Sequence, residues 1–244
     1  MSRRVVNLGC GPKASAHPDV LNVDWSVYLR FRSNPLLSWL PPLLLRGERL
    51  QRYRSLPPNI LVHDLTRGIP LPDDSADVVY HSHALEHIDR DGVAAFQAEV
   101  RRVLKPGGVQ RIVVPDLEIL ARRYLASLEA ARAGGGQGRE HDQSVFELLE
   151  QSVRREAAAV RSLGGWRRKL YTRVFGDARA RGETHQWMYD SANLAALLRE
   201  SGFRDVEVVS YDRSRIPGWE AYGLDVDASG GQYKPDSLYV EAVK

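Results

Sequence analysis

The tightest constraint on this chain is a run of short apolar segments, each stopped by a polar or turn residue. Residues 5–8 stop at Gly9, 20–23 at Asp24, 60–62 at His63-Asp64, 76–80 at His81-Ser82, and 109–114 at Pro115-Asp116. The first two of these, 5–8 and 20–23, suit strands buried on both faces. Between the last two, residues 91–104 put Phe96, Val100, Val103 and Leu104 on one helical stripe, and Pro106-Gly107-Gly108 stops it. A second helix opens at Asp190 or Ser191, carries Leu194, Leu197 and Leu198 on one face, and exits at Gly202. Residues 206–209 and 237–243 close the chain as strands. Strand and helix alternating in this way predict an α/β fold with a doubly wound, mainly parallel sheet, whose ligand site lies at the carboxyl ends of the strands.

Composition removes several alternatives. The 244 residues contain one cysteine, Cys10, so the chain has no internal disulfide framework and no multi-cysteine zinc site. The most apolar window, 35–45, is broken by Pro41-Pro42 and is about half of the roughly 20 residues that cross a bilayer. The first residues offer too short an apolar stretch for a signal peptide, so a cytoplasmic location is expected. Charge is uneven. Residues 26–58 carry six Arg against one acid, and 117–183 carry thirteen basic residues against nine acids, while the remainder has 15 basic and 21 acidic residues. Two basic insertions thus interrupt an acidic scaffold. The first, with Trp39, leucines and prolines, reads as a lid. The second reads as two amphipathic helices, one with Leu120, Tyr124, Leu128 and Ala131, the other with Val145, Leu149, Val153, Ala157 and Val160, joined through 134–138. Residues 1–244 are read as one domain with 26–58 and 117–183 as a substrate lid.

Three strand ends offer groups suited to a nucleoside. Gly9-Cys10-Gly11 permits a tight turn and close backbone approach, Asp24 can accept both ribose hydroxyl hydrogens, and Asp64 can meet an exocyclic amine. Together with Val6-Asn7-Leu8-Gly9-Cys10-Gly11, Asn22-Val23-Asp24, the stretch 73–80, Ala84-Leu85-Glu86-His87 and the stretch 102–108, these resemble the ordered motifs of class I S-adenosylmethionine-dependent methyltransferases. Further segments, 81–87, 111–117, 185–190, 214–217 and 234–238, are similar to a bacterial subgroup associated with glycan and exopolysaccharide biosynthesis.

The resemblance implies a Rossmann-like, seven-stranded sheet with its last strand antiparallel. It implies S-adenosylmethionine as cofactor, with Gly9 and Gly11 under its methionine part, Asp24 on the ribose, Trp25 beside the adenine, Asp64 and Leu65 at its edge, and His81 closing the site. One departure stands out: only thirteen residues separate Gly11 from Asp24, leaving little room for the usual helix between the first two strands.

An aliphatic hydroxyl needs a base to lose its proton near neutrality, or a metal to acidify it. The candidate bases are His83 after the fourth strand, His185 beside the aromatic cluster Trp187-Met188-Tyr189, and His141 in the second insertion. Glu86-His87 with His83 leaves room for a divalent metal such as Mg²⁺, although adjacent residues on a helix point apart and Mg²⁺ prefers more oxygens. No metal ligands are assigned. The expected activity is O-methylation of a hydroxyl on a sugar, glycan or glycolipid acceptor. Peripheral membrane contact is compatible with the arginine-rich insertions. Methylation of nucleic acid is disfavoured, because the place after the fourth strand reads His81-Ser82-His83-Ala84 and lacks the Asn/Asp-Pro-Pro-aromatic sequence of base-amine enzymes. Small-molecule methylation and non-catalytic cofactor binding are the alternatives, and the sequence leaves oligomeric state open.

Overall fold

The structure is a computed structural model and describes residues 4–25, 45–55, 59–134, 138–151 and 185–244, with single positions at 29, 32, 36, 38, 39, 42 and 43. Strands β1 (Val5–Leu8), β2 (Val20–Asp24), β3 (Ile60–Val62), β4 (Ala76–Ser82), β5 (Leu104–Pro115), β6 (Arg204–Val209) and β7 (Ser237–Val243) form one sheet in the order β3-β2-β1-β4-β5-β7-β6. Pairs from β3 to β5 are parallel, and β7 runs antiparallel to both β5 and β6. The expected seven-stranded Rossmann-like sheet with an antiparallel last strand is thus present.

The helices are α1 (Glu48–Ser55), α2 (Arg90–Val103), α3 (Leu117–Arg132), α4 (Gly138–Gln151) and α5 (Ser191–Glu200). The α5 N-terminus is a complete capping box. Asp190 accepts from the Ala192 and Asn193 N–H groups, and Asn193 accepts from the Asp190 N–H in return. Helices α3 and α4 match the two amphipathic patterns as far as Gln151; Val153, Ala157 and Val160, like most of 26–58, lie outside the described residues. Strand β5 starts five residues earlier than expected. Its register slips between Ala76↔Leu104 and Val78↔Val109, so 105–108 bulge out, and a Cβ on Gly108 would sit 2.9 Å from the Lys105 carbonyl.

The two faces of the sheet are covered differently. On one, α2 (Val93, Phe96, Val100, Val103), α5 (Leu194, Leu198) and Phe203 pack on Val6, Leu8, Val79, Ile112, Val114 and Val240. On the other, Val5, Val20, Val78, Tyr80, Val113 and Tyr239 meet Ile216, Trp219, Tyr222 and Leu224 from the long excursion between β6 and β7. That excursion holds one short 3₁₀ turn, Trp219–Tyr222.

No regular helix joins β1 to β2, as the thirteen-residue spacing implied. Two buried asparagines explain how the sheet tolerates an irregular connection. Asn7 Nδ2 donates to the Lys13 carbonyl and to Asn22 Oδ1; Asn22 in turn accepts from the Ser15 N–H and donates to the Ser15 carbonyl. These bonds satisfy the loop backbone that a helix would otherwise satisfy internally. Ser15 Oγ then donates to the Tyr222 carbonyl and Lys13 to the Val226 carbonyl, docking the loop on the excursion.

Candidate active site

At the carboxyl end of β1, Gly9 and Gly11 both have left-handed backbone (φ +63° and +49°), and a Cβ on Gly9 would lie 3.2 Å from Ala84 Cβ. Side chains rarely adopt that conformation, so glycine is required where the turn passes the β4 exit. The Gly9 and Cys10 N–H groups donate to the Val23 carbonyl, and the Gly11 N–H donates to Asp24 Oδ2 at 2.6 Å. Turn and carboxylate are one fixed unit. Burial and the Asp24 carboxylate push the Cys10 thiol well above its ordinary range, so it stays protonated and is no nucleophile. The next strand end is tied in by the His63 N–H, which donates to the Asp24 carbonyl at 3.0 Å. Asp24 and the half-exposed Trp25 lie side by side there.

At the carboxyl end of β4 the chain makes its sharpest turn. His83 has φ +50° and its N–H donates to the Val113 carbonyl. Its Nε2 lies 2.9 Å from Ser237 Oγ at the start of β7, and its Nδ1 lies 3.4 Å from Glu86 Oε1. Burial, with help from Lys234, His185 and His87, pulls the His83 imidazole down to about 3, so it is neutral at pH 7. Glu86 is fully buried in a 3₁₀ turn, Leu85–His87, and burial pushes its carboxyl up to about 8. Neither Glu86 oxygen has a hydrogen-bond partner.

The strip 185–189 lies across the exits of β4 and β5. The Gln186 and Trp187 N–H groups donate to the Glu86 carbonyl, and the Leu117 N–H donates to the Tyr189 carbonyl. This brings the His185 ring to 4.9 Å from His87, edge to face, and puts Arg90 over the Trp187 ring at 4.3 Å. One ligand atom each from Glu86, His87 and His185 lies within 4.8 Å of the others. Their adjacency in sequence does not separate Glu86 from His87, because the segment is a 3₁₀ turn and His185 approaches from a second segment.

A family model described as "Methyltransferase domain" matches residues 41–112, which take in β3, β4, α2 and most of β5. Over that stretch the chain is similar to methyltransferase domains, in keeping with the class I motifs expected from the sequence. Solved structures that resemble it include a SAM-dependent methyltransferase from Archaeoglobus fulgidus (15% identity, 99% of this chain and 86% of that one, TM-score 0.42). Another is a SAM-dependent methyltransferase, possible histamine N-methyltransferase, from Thermotoga maritima (15%, 99% and 82%, 0.46), and a third is from Mesorhizobium loti (21%, 99% and 90%, 0.43). No curated protein matches the sequence significantly. The fixed Gly9-Gly11 turn with Asp24 at its side fits the S-adenosylmethionine expected from the sequence motifs: it combines a close-approach backbone with an oriented carboxylate.

The structure sorts the other residues singled out in the sequence. His81 does not face the strand ends. Its side chain is fully buried under α2, edge-on to Phe96 with ring centroids 5.5 Å apart and with Nε2 3.0 Å from Gln110 Nε2. Asp64 is engaged locally, capping the 3₁₀ turn Leu65–Arg67 through the Thr66 N–H and hydroxyl, with Leu65 half-buried behind it. His141 sits in the α3–α4 contact, Nδ1 2.9 Å from Ser127 Oγ and the ring 5.6 Å from Tyr124. No contact among the described residues joins it to His83 or His185. Ser237 and Lys234 were visible only as parts of a motif; 154 residues separate Ser237 from His83, and no spacing signals that meeting. Among the described residues no helix is long and apolar enough to cross a membrane.

Proposed function

We propose that this chain is an S-adenosylmethionine-dependent methyltransferase that transfers a methyl group to a hydroxyl of a sugar or glycan acceptor, with His83 as the proton acceptor. The observation that carries the reading is the line Ser237 Oγ, His83 Nε2, His83 Nδ1, Glu86 Oε1, with a hydroxyl at one end and a buried carboxyl at the other. Ser237 Oγ marks where an acceptor hydroxyl would sit on Nε2. A neutral imidazole can take that proton on Nε2, with its Nδ1 facing the Glu86 carboxyl. The bound cofactor supplies an activated methyl on a sulfonium. The chain's part is alignment: Gly9, Gly11 and Asp24 fix the donor, with Trp25, Asp64 and Leu65 around the adenine, and His83 fixes the nucleophile. His185 and the half-exposed Trp187 supply an aromatic wall suited to a sugar ring. The insertions 26–58 and 117–183 act as a lid. In support, Arg123 of α3 bonds Asp236, the neighbour of Ser237, at 2.7 Å, anchoring the hairpin beside the site. His141, in that hairpin, serves as a lid residue over the acceptor.

A labelled-methyl transfer screen over mono- and oligosaccharides, glycolipids, phenols and RNA tests this. Transfer to a saccharide acceptor is expected, falling by about 10² or more in His83→Gln while cofactor affinity is kept. Transfer only to phenols or RNA overturns the acceptor class, and an unaffected His83→Gln overturns the base.

A further inference from the structure

We propose that Glu86, His87 and His185 form a binding site for a divalent first-row transition ion of the zinc type. The three residues come from two segments already clipped together. Gln186 and Trp187 donate their N–H groups to the Glu86 carbonyl at 2.6 and 3.3 Å, so His185 is held over the Leu85–His87 turn by backbone. Their ligand atoms lie within 4.8 Å of one another. Ligands sharing an ion at about 2.1 Å stand roughly 3–4 Å apart, so closure needs only modest rotation of two partly exposed imidazoles.

The independent observation is the Glu86 carboxylate, which is completely buried and has a hydrogen-bond partner on neither oxygen. Buried polar atoms without partners are rare and costly, and they call for a missing ion or solvent molecule. A cation answers this one, and a carboxylate with two oxygens can bind it while keeping His83 alongside.

The donor set selects the ion. Two imidazole nitrogens and one carboxylate suit zinc, with neighbours such as manganese and cobalt, and leave a coordination position open. Magnesium, the ion first suggested by Glu86-His87, prefers a shell dominated by oxygen, which this cluster does not offer. The site lies where β4 and β5 end, so under the proposed function the open position would take an acceptor oxygen. That role rests on the reading above, whereas ion binding itself does not.

The test uses the full chain, stripped with chelator and dialysed, and titrated with Zn²⁺ and with Co²⁺ by calorimetry and visible absorption. One equivalent is expected, with a rise in melting temperature and no displacement by millimolar Mg²⁺. Affinity should fall at least tenfold in His87→Ala, His185→Ala and Glu86→Gln, and stay unchanged in His17→Gln. The Glu86→Gln variant keeps volume and shape, so it separates lost ligation from lost folding, which circular dichroism checks. No binding to the folded wild type, or equal stoichiometry and affinity in all three variants, overturns the site. Neither result bears on methyl transfer to a saccharide, which is measured separately.

Discussion

Two buried ionisable side chains lie on β5 and just beyond β4, one with every hydrogen bond made and one with none. Arg111, at the middle of β5, is completely buried and spends all five of its N–H donors: Nε on Asp225, Nη1 on Glu241 and the Arg213 carbonyl, and Nη2 on the carbonyls of Ser210 and Tyr211. Asp225 also accepts from Tyr80 and Trp219, and Glu241 from Ser214 and the Arg215 N–H. Glu86, beyond the β4 exit, is just as buried and accepts no hydrogen bond, with only His83 Nδ1 at 3.4 Å beside it. A saturated network has no valence left for a ligand and serves to hold the 211–225 excursion on the sheet. An unsaturated carboxyl at a strand end serves something that arrives later.

Breaking the saturated group should cost most. Arg111→Met strands Asp225 and Glu241 in the interior, and about 3–5 kcal/mol of stability should be lost, read from urea denaturation. The excursion also pins the β1–β2 loop through Tyr222 and Val226, so cofactor affinity should weaken in parallel. Stability unchanged by this substitution would show that the network is ornamental.

The bare group should respond in the opposite way. Without metal, Glu86→Gln should lie within about 1 kcal/mol of wild type, since no hydrogen bond is lost, volume is kept, and the amide oxygen can keep the 3.4 Å contact with His83 Nδ1. With Zn²⁺ at a hundred times its dissociation constant, the wild type should gain about 2.7 kcal/mol and the variant none. Equal gains in both would place the ion elsewhere.

A smaller effect sits where the two strand ends meet. Gly9→Ala puts a methyl 3.2 Å from Ala84 Cβ and forces a left-handed alanine, costing about 1–2 kcal/mol. Because Ala84 directly precedes the Leu85–His87 turn, cofactor affinity should drop by more than stability alone would account for, and calorimetric titration with S-adenosylhomocysteine measures this.

The contrast also explains what the sequence could reveal. Short apolar runs place the strands, and most plainly the central ones β1, β4 and β5, where burial on both faces leaves that pattern. Gly9, Gly11 and Asp24 are equally legible, since their job is local backbone shape. The Arg111 network was not, although Arg111 stands in a buried run, because its partners lie 99 to 130 residues away. The same holds for Ser237 on His83 and for His185 on Glu86: sheet order brings them together, and spacing along the chain is silent about sheet order. His81 shows the reverse case. A polar residue at a strand end reads as a site residue, yet the parity of β4 turns it towards α2.

His81 is the intermediate case, and its effect emerges only as pH is lowered. One ring nitrogen lies 3.0 Å from Gln110 and the other, Nδ1, has no partner, while burial lowers the ring to about 3. The folded protein therefore binds one proton fewer than the unfolded chain once pH drops below the ordinary histidine value near 6.5. Stability from this group is complete above that pH. It is lost as pH falls towards 3, by about 1.4 kcal/mol per unit. The loss ends there because the folded state then takes up the proton too. Denaturation midpoints of wild type and His81→Asn between pH 7 and 4 should diverge in slope by one proton. Parallel curves would mean that His81 finds a partner in solution and belongs with the saturated group.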